Sequence, residues 1–279
     1  MIKLGFSPCP NDTFIFYGLI ERKIDTSGIK IETVIDDVER LNQLALKRAV
    51  DVTKISCHAY YYLKDDYQFL RSGGAFGRGC GPLLVKSKEI KSIKRIAIPG
   101  EYTTAFLLLR LYLFFSNHSL ISSPIFIPMP FYEIMPAVKK GVVDGGLIIH
   151  ESRFTYPQYG LDLIVDLGDW WEKKTGLIIP LGGIIAKRSL GRKKIENIES
   201  LIRLSVEYSF KHGNEVMSFV KRYSQEISED VIKKHINLYV NGYTLDSGKE
   251  GESALKELMR MASLIDPKRE KGDIYGSDD

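Results

Sequence analysis

The chain has 279 residues, of which 44% are hydrophobic and 27% charged, and its formal net charge is +4. This is an ordinary globular composition with room for one large or two modest domains, and the weak, scattered positive charge argues against a nucleic-acid partner. Three cysteines, Cys9, Cys57 and Cys80, form no CxxC pair, which argues against a disulfide framework or a zinc site and fits a reducing compartment.

The first residues, MIKLGFSPCPND, enter a strand at 3–6 with no apolar h-region and no cleavage site, so a cytoplasmic protein is expected. Two prolines stiffen the turn Ser7-Pro8-Cys9-Pro10, and Asn11 or Asp12 can cap a helix at 12–21. A rigid turn plus cap accounts for most of this stretch. A functional reading adds Ser7 and Asn11 as hydrogen-bond donors. A strand at 29–34, a helix at 38–47 and a strand at 52–56 follow.

Within that last strand, Thr53-Lys54-Ile55-Ser56 places a lysine among apolar neighbours. Such a lysine must snorkel, lie on an edge strand or meet an anion. Cys57 reads as a small buried filler, and His58 follows the strand directly. The glycine-rich residues 73–82 include Arg78 but no Lys-Ser/Thr, so they are not a P-loop. A crossing, or a backbone wall against a flat ligand, suits them better.

Strands are expected at 83–86 and 95–99. After the second, Pro99-Gly100-Glu101-Tyr102 leads to Thr103 and Thr104 at the start of a helix over 103–115. Thr103 is a natural N-cap, and the helix start favours an anion such as a carboxylate. The apolar run 105–115 is too short for a bilayer, which needs about 20 residues, so no membrane partner is expected. A strand at 125–128, a helix at 131–140 and a strand at 146–149 lead to His150-Glu151-Ser152-Arg153. Strands at 161–166 and 183–186 follow, then helices at 195–211, 214–223, 229–240 and 251–264, with a loose tail from 267.

Of the five histidines, His118, His212 and His235 read as surface residues. His150 stands at a strand's carboxyl end, where an imidazole can exchange protons near neutral pH. A capped structural histidine fits the same pattern. No second histidine lies at metal-ligand spacing, so no metal is expected.

The alternation of strands and helices means α/β with largely parallel sheets. A faint repeat runs through it. Residues 45–56 resemble 137–149, and Gly5-Phe6-Ser7-Pro8 resembles Ala97-Ile98-Pro99-Gly100. Two α/β lobes are therefore expected: 1–92 as the first part of lobe 1, 93–181 as an inserted lobe 2, and 182–279 completing lobe 1. Ligands of open α/β sheets sit beyond the carboxyl ends of the strands.

The segments SPCPNDTFIFYGL, DVTKISCHAY, LRSGGAFGRGCGPLLV, GEYTTAFLLL, GLIIHESRFTYPQYGL and DLGDWWEKKTGLIIPLGG resemble the 1,4-dihydroxy-6-naphthoate synthase family of the futalosine route to menaquinone. The resemblance runs from residue 1 to about 250. It implies a type II periplasmic-binding-protein-like fold, two α/β lobes around a central cleft, used as a carbon–carbon lyase. The implied substrate is a small-molecule carboxylate, cyclic dehypoxanthinyl futalosine, and no cofactor is required. The resemblance makes His150 the proton acceptor and places substrate contacts on Thr53, Lys54, Ile55, Ser56, Thr103 and Thr104. The donors that developing negative charge needs are expected from among Ser7, Asn11, Lys54 and Arg78, with the choice between them open. A solute-binding protein without catalysis and the sister enzyme chorismate dehydratase are the alternatives. Oligomeric state is left open.

Overall fold

The computed structural model describes residues 1–116, 119–224 and 228–266. The chain divides into two compact units, one of Met1–Gly77 and the return segment from Pro180, the other of Arg78–Ile179. His118 and the tail from 267 lie outside the described residues. No helix among the described residues is long and apolar enough to cross a membrane.

The first unit begins β1 (Ile2–Phe6), α1 (Pro10–Ile20), β2 (Ile31–Ile35), α2 (Val38–Leu46), β3 (Val52–Ser56), α3 (Cys57–Leu63), β4 (Tyr67–Phe69) and β5 (Ala75–Gly77). The second holds β6 (Leu83–Ser87), β7 (Ile93–Ile98), α4 (Thr104–Phe115), β8 (Ile121–Pro128), α5 (Phe131–Lys139), β9 (Gly145–Ile148), α6 (Ser152–Thr155), β10 (Leu161–Asp166) and α7 (Leu167–Thr175). The chain returns through β11 (Ile179–Lys187), then α8 (Arg192–Lys211), α9 (Gly213–Tyr223), α10 (Glu229–Tyr239), α11 (Gly242–Leu245) and α12 (Gly248–Ile265).

The first sheet has the order β2-β1-β3-β11-β4, with β5 also on β11; the second has the order β10-β6-β9-β7-β8. Read from opposite ends, the two orders match. In each, a βαβαβ half supplies three parallel strands, and an antiparallel strand joins beside the third. The repeat is also visible in the register. Leu4 faces Val52 and Gly5 faces Thr53 in the first sheet, while Ile96 faces Gly145 and Ala97 faces Gly146 in the second.

Two expectations need correction. The sheets are mixed rather than largely parallel, because β11 runs against β3 and β4, and β6 runs against β9 and β10. The chain also crosses between units at Gly77 and Pro180, not at 92 and 182. The strand β6, expected in the first lobe, belongs to the second sheet, where it pairs on both sides. An apolar run of five residues fits either sheet equally well, so its sequence does not say which one it joins.

In the first unit, α1 is buried from Pro10 to Leu19. One side packs with α8 and the sheet through Ile15, Leu19, Ile198, Ile202 and Val206. The other side, through Phe14 and Tyr17, meets α9 and α10 at Val216, Phe219, Ile232 and Ile236. A helix apolar all round is a buried helix, and here it holds Asn11 and Asp12 in a rigid frame. In the second unit, Ile134, Met135 and Val138 of α5 pack on Leu83, Val85, Ala97 and Ile148 of the sheet.

Candidate active site

In the first unit, the polar residues at the ends of β1 and β3 form one buried network. Asp12 is its centre. The Ser7 backbone N–H (3.1 Å) and hydroxyl (2.7 Å) both donate to one Asp12 oxygen. The Asn11 amide donates to the other at 2.8 Å, and the Lys54 ammonium lies 3.0 Å from it. Lys54 also donates to the Gly73 carbonyl at 2.8 Å. The Asn11 amide oxygen is 2.9 Å from Nε2 of His235 on α10.

Several expectations change here. Asp12 does not cap α1. The N-cap is Cys9, which makes no side-chain cap bond, and Pro10 opens the helix. The Asp12 carboxylate points back to Ser7 instead. Lys54 is neither snorkelling nor on an edge, because β3 lies between β1 and β11; it has met its anion in Asp12. His235 is no surface residue but fully buried. His212, by contrast, is exposed and stacked on Tyr208.

Counting valences limits what these groups offer a ligand. A hydroxyl has one proton, and Ser7 gives its proton to Asp12, so toward a ligand Ser7 accepts rather than donates. Asn11 spends one N–H on Asp12, and Lys54 directs its donors to Asp12 and Gly73. Beside them, Thr53 donates to the Lys54 carbonyl, Ile55 is fully buried, and Ser56 is tied through both its N–H and its hydroxyl to Asn42. Cys57 is fully buried, as a small filler would be, and burial pushes its thiol well above the usual range.

In the second unit, β7 and β9 are parallel neighbours, so the residues after them emerge at the same end of the sheet. After β7 comes Thr103, the N-cap of α4. Its hydroxyl accepts from the Phe106 N–H at 3.2 Å and donates to the Gly100 carbonyl at 2.8 Å. Thr104 follows, buried. After β9 comes His150, half-buried with a left-handed backbone (φ 57°). Its ring packs against Phe131 with centroids 5.0 Å apart. The fold thus brings Thr103, Thr104 and His150 to one end of one sheet.

The rest of the HESR stretch turns inward. Glu151 and Ser152 are buried. The Arg153 guanidinium donates to the Gly81 carbonyl (2.5 Å) and pairs with Asp166 (2.6 Å), which also caps α7 through the Gly168 and Asp169 N–H groups. Arg78 is not grouped with His150. It reaches the last turn of α7, with the Gly176 carbonyl at 3.3 Å and Glu172 at 3.7 Å.

The glycine-rich segment is a tight backbone crossing. A Cβ on Gly81 would lie 2.2 Å from both Cα and N of Gly168. Gly81→Ala should therefore lower stability by about 1–3 kcal/mol and reduce the unfolding midpoint, as forced overpacking does. An unchanged midpoint in a thermal melt would contradict the crossing.

Two α/β units of matching mixed-sheet order, joined by exchanged antiparallel strands, define the periplasmic-binding-protein fold. The structure is similar to the aliphatic sulphonate binding protein of Escherichia coli, with a TM-score of 0.65 over 98% of this chain and 90% of that one. At 11% identity that likeness is one of fold alone. A family model described as "Menaquinone biosynthesis" matches residues 2–264, and the chain belongs to that family. It is 46% identical over 265 residues to a 1,4-dihydroxy-6-naphthoate synthase of Thermus thermophilus, covering 94% of this chain and 93% of that one. It is 39% identical over 264 residues to the enzyme of the same name from Streptomyces coelicolor, covering 94% and 93%. A crystal structure from Archaeoglobus fulgidus is 36% identical, with a TM-score of 0.87 over 95% of this chain and 98% of that one.

Proposed function

We propose that the chain is a 1,4-dihydroxy-6-naphthoate synthase, a cytoplasmic lyase that converts cyclic dehypoxanthinyl futalosine to 1,4-dihydroxy-6-naphthoate and releases a sugar-derived fragment. The observation that carries this reading is similarity to synthases of that name along 94% of the chain. The placement of His150 at a strand's carboxyl end supports it.

In this reading His150 accepts a proton from a sugar-derived hydroxyl or the adjacent carbon. A retro-aldol-type step then breaks the carbon–carbon bond, driven by formation of the aromatic ring. The step is redox-neutral. The start of α4, with Thr103 and Thr104, receives the ring carboxylate through its backbone N–H groups, while the Thr103 hydroxyl donates to Gly100 and caps the helix. Negative charge on oxygen is met by the remaining N–H groups of Asn11 and Lys54. Ser7 serves through Asp12 and not as a donor. Arg78, tied to α7, has the weakest support among the residues proposed from the sequence.

Incubating the protein with cyclic dehypoxanthinyl futalosine and following the products by mass spectrometry tests the proposal. Dihydroxynaphthoate is the expected product. No product, with chorismate consumed instead, would assign the chain to chorismate dehydration; binding without turnover would make it a solute-binding protein.

A further inference from the structure

We propose that Phe131 is a positioning residue for His150, a ring that fixes the direction in which the imidazole faces. The inference rests on His150 being the proton acceptor. The left-handed backbone at His150 sets where Cβ points, but it leaves both side-chain torsions to the surroundings. Phe131 supplies one such restraint, on the ring face. The residue is buried, at 8% exposure, and its ring meets the imidazole at 5.0 Å with the planes 65° apart. This is the edge-to-face geometry that aromatic pairs prefer.

The contact is built into the packing of α5 on β9. Gly146 has no side chain, and a Cβ there would lie 2.5 Å from Cγ2 of Ile134 and 2.7 Å from Cγ2 of Val138. The helix therefore sits directly on the strand at this glycine. Phe131, Ile134 and Val138 occupy one stripe of α5 at helical spacing. The helix is the crossover between the parallel strands β8 and β9, so it runs back against β9. One turn back from Ile134 is thus a step toward the carboxyl end of β9, and that step puts Phe131 beside His150. Helix, glycine and strand together hold the ring in place. A base must lie within hydrogen-bond reach of the proton it takes, so a swivelling imidazole loses rate and not affinity.

The test compares Phe131→Leu, which removes the flat ring, with Phe131→Tyr, which keeps it. Phe131→Leu should lower kcat by about tenfold or more with KM within about twofold, whereas Phe131→Tyr should stay within about threefold of wild-type kcat. Phe131→Met, an adaptable side chain, repeats the test independently of how leucine fits. In the ligand-free protein, the His150 ring-proton resonances, assigned by their loss in His150→Asn, should move when the Phe131 ring current is removed. Wild-type kcat in the Leu and Met variants, equal losses in Leu and Tyr, an effect confined to KM, or unmoved resonances would each overturn the proposal. A wild-type protein that forms no naphthoate would overturn the reading of function instead, and the resonance shift would still decide the contact.

Discussion

His150→Asn should abolish turnover while leaving substrate affinity and the fold nearly unchanged. General-base catalysis by a placed side chain is worth about 10²–10⁴ in rate, and an asparagine amide cannot take up the proton. The backbone makes this substitution unusually clean. His150 has φ 57°, a region that most side chains avoid and that asparagine and glycine tolerate. Held there, a non-glycine residue costs about 1–3 kcal/mol, a strain found most often at functional sites. His150→Gly should relieve part of it and raise the unfolding midpoint, again without turnover. Loss of activity with equal or greater stability is what a catalytic residue produces, whereas a structural histidine would lose stability and keep its rate. Steady-state kinetics, calorimetric titration of the substrate and thermal melts on both variants decide the matter. Near wild-type product formation by His150→Asn would remove His150 from the chemistry.

The alternation of apolar runs and helical stripes places most elements to within a few residues. Local sequence was enough for that, because strand and helix periods are local properties. It was not enough for α3 and α7. Cys57–Leu63 continues an apolar strand without a break, and Leu167–Thr175 mixes glycine, two tryptophans and four charges, so neither shows a clean stripe. The repeat was legible because both halves fold by the same rule, and the matching sheet orders reflect it. The partner of a buried charge was not legible. Asp12 looked like a cap because it stands near a helix start, and only the pairing of β3 with β1 brings Lys54 to it. His235 did carry a signal. It shares the apolar stripe Ile232, Ile236, Tyr239, where a surface histidine does not belong. For Arg153 there was none, since its partners, Gly81 and Asp166, come from other strand ends.

The second large effect is expected at the Asp12–Lys54 pair, and it should be unequal between the two partners. Both side chains are nearly inaccessible, at 2% and 5% exposure, so solvent screens the pair little. Removing one member of a buried ion pair costs about 3–5 kcal/mol, because the other is left charged and unpaired. Asp12→Ala should reach that range. It strips Lys54 of its anion and leaves the Ser7 N–H and hydroxyl and the Asn11 amide without their acceptor. Lys54→Met should cost less, because the Asp12 carboxylate keeps those three donors. The double variant should fall well short of the sum, with a coupling above about 1 kcal/mol, since contacting residues are not additive. Chemical denaturation of the two single variants and the double closes the cycle. Equal single losses, or a double variant equal to their sum, would mean that the carboxylate is not what holds Ser7, Asn11 and Lys54 together at the ends of β1 and β3.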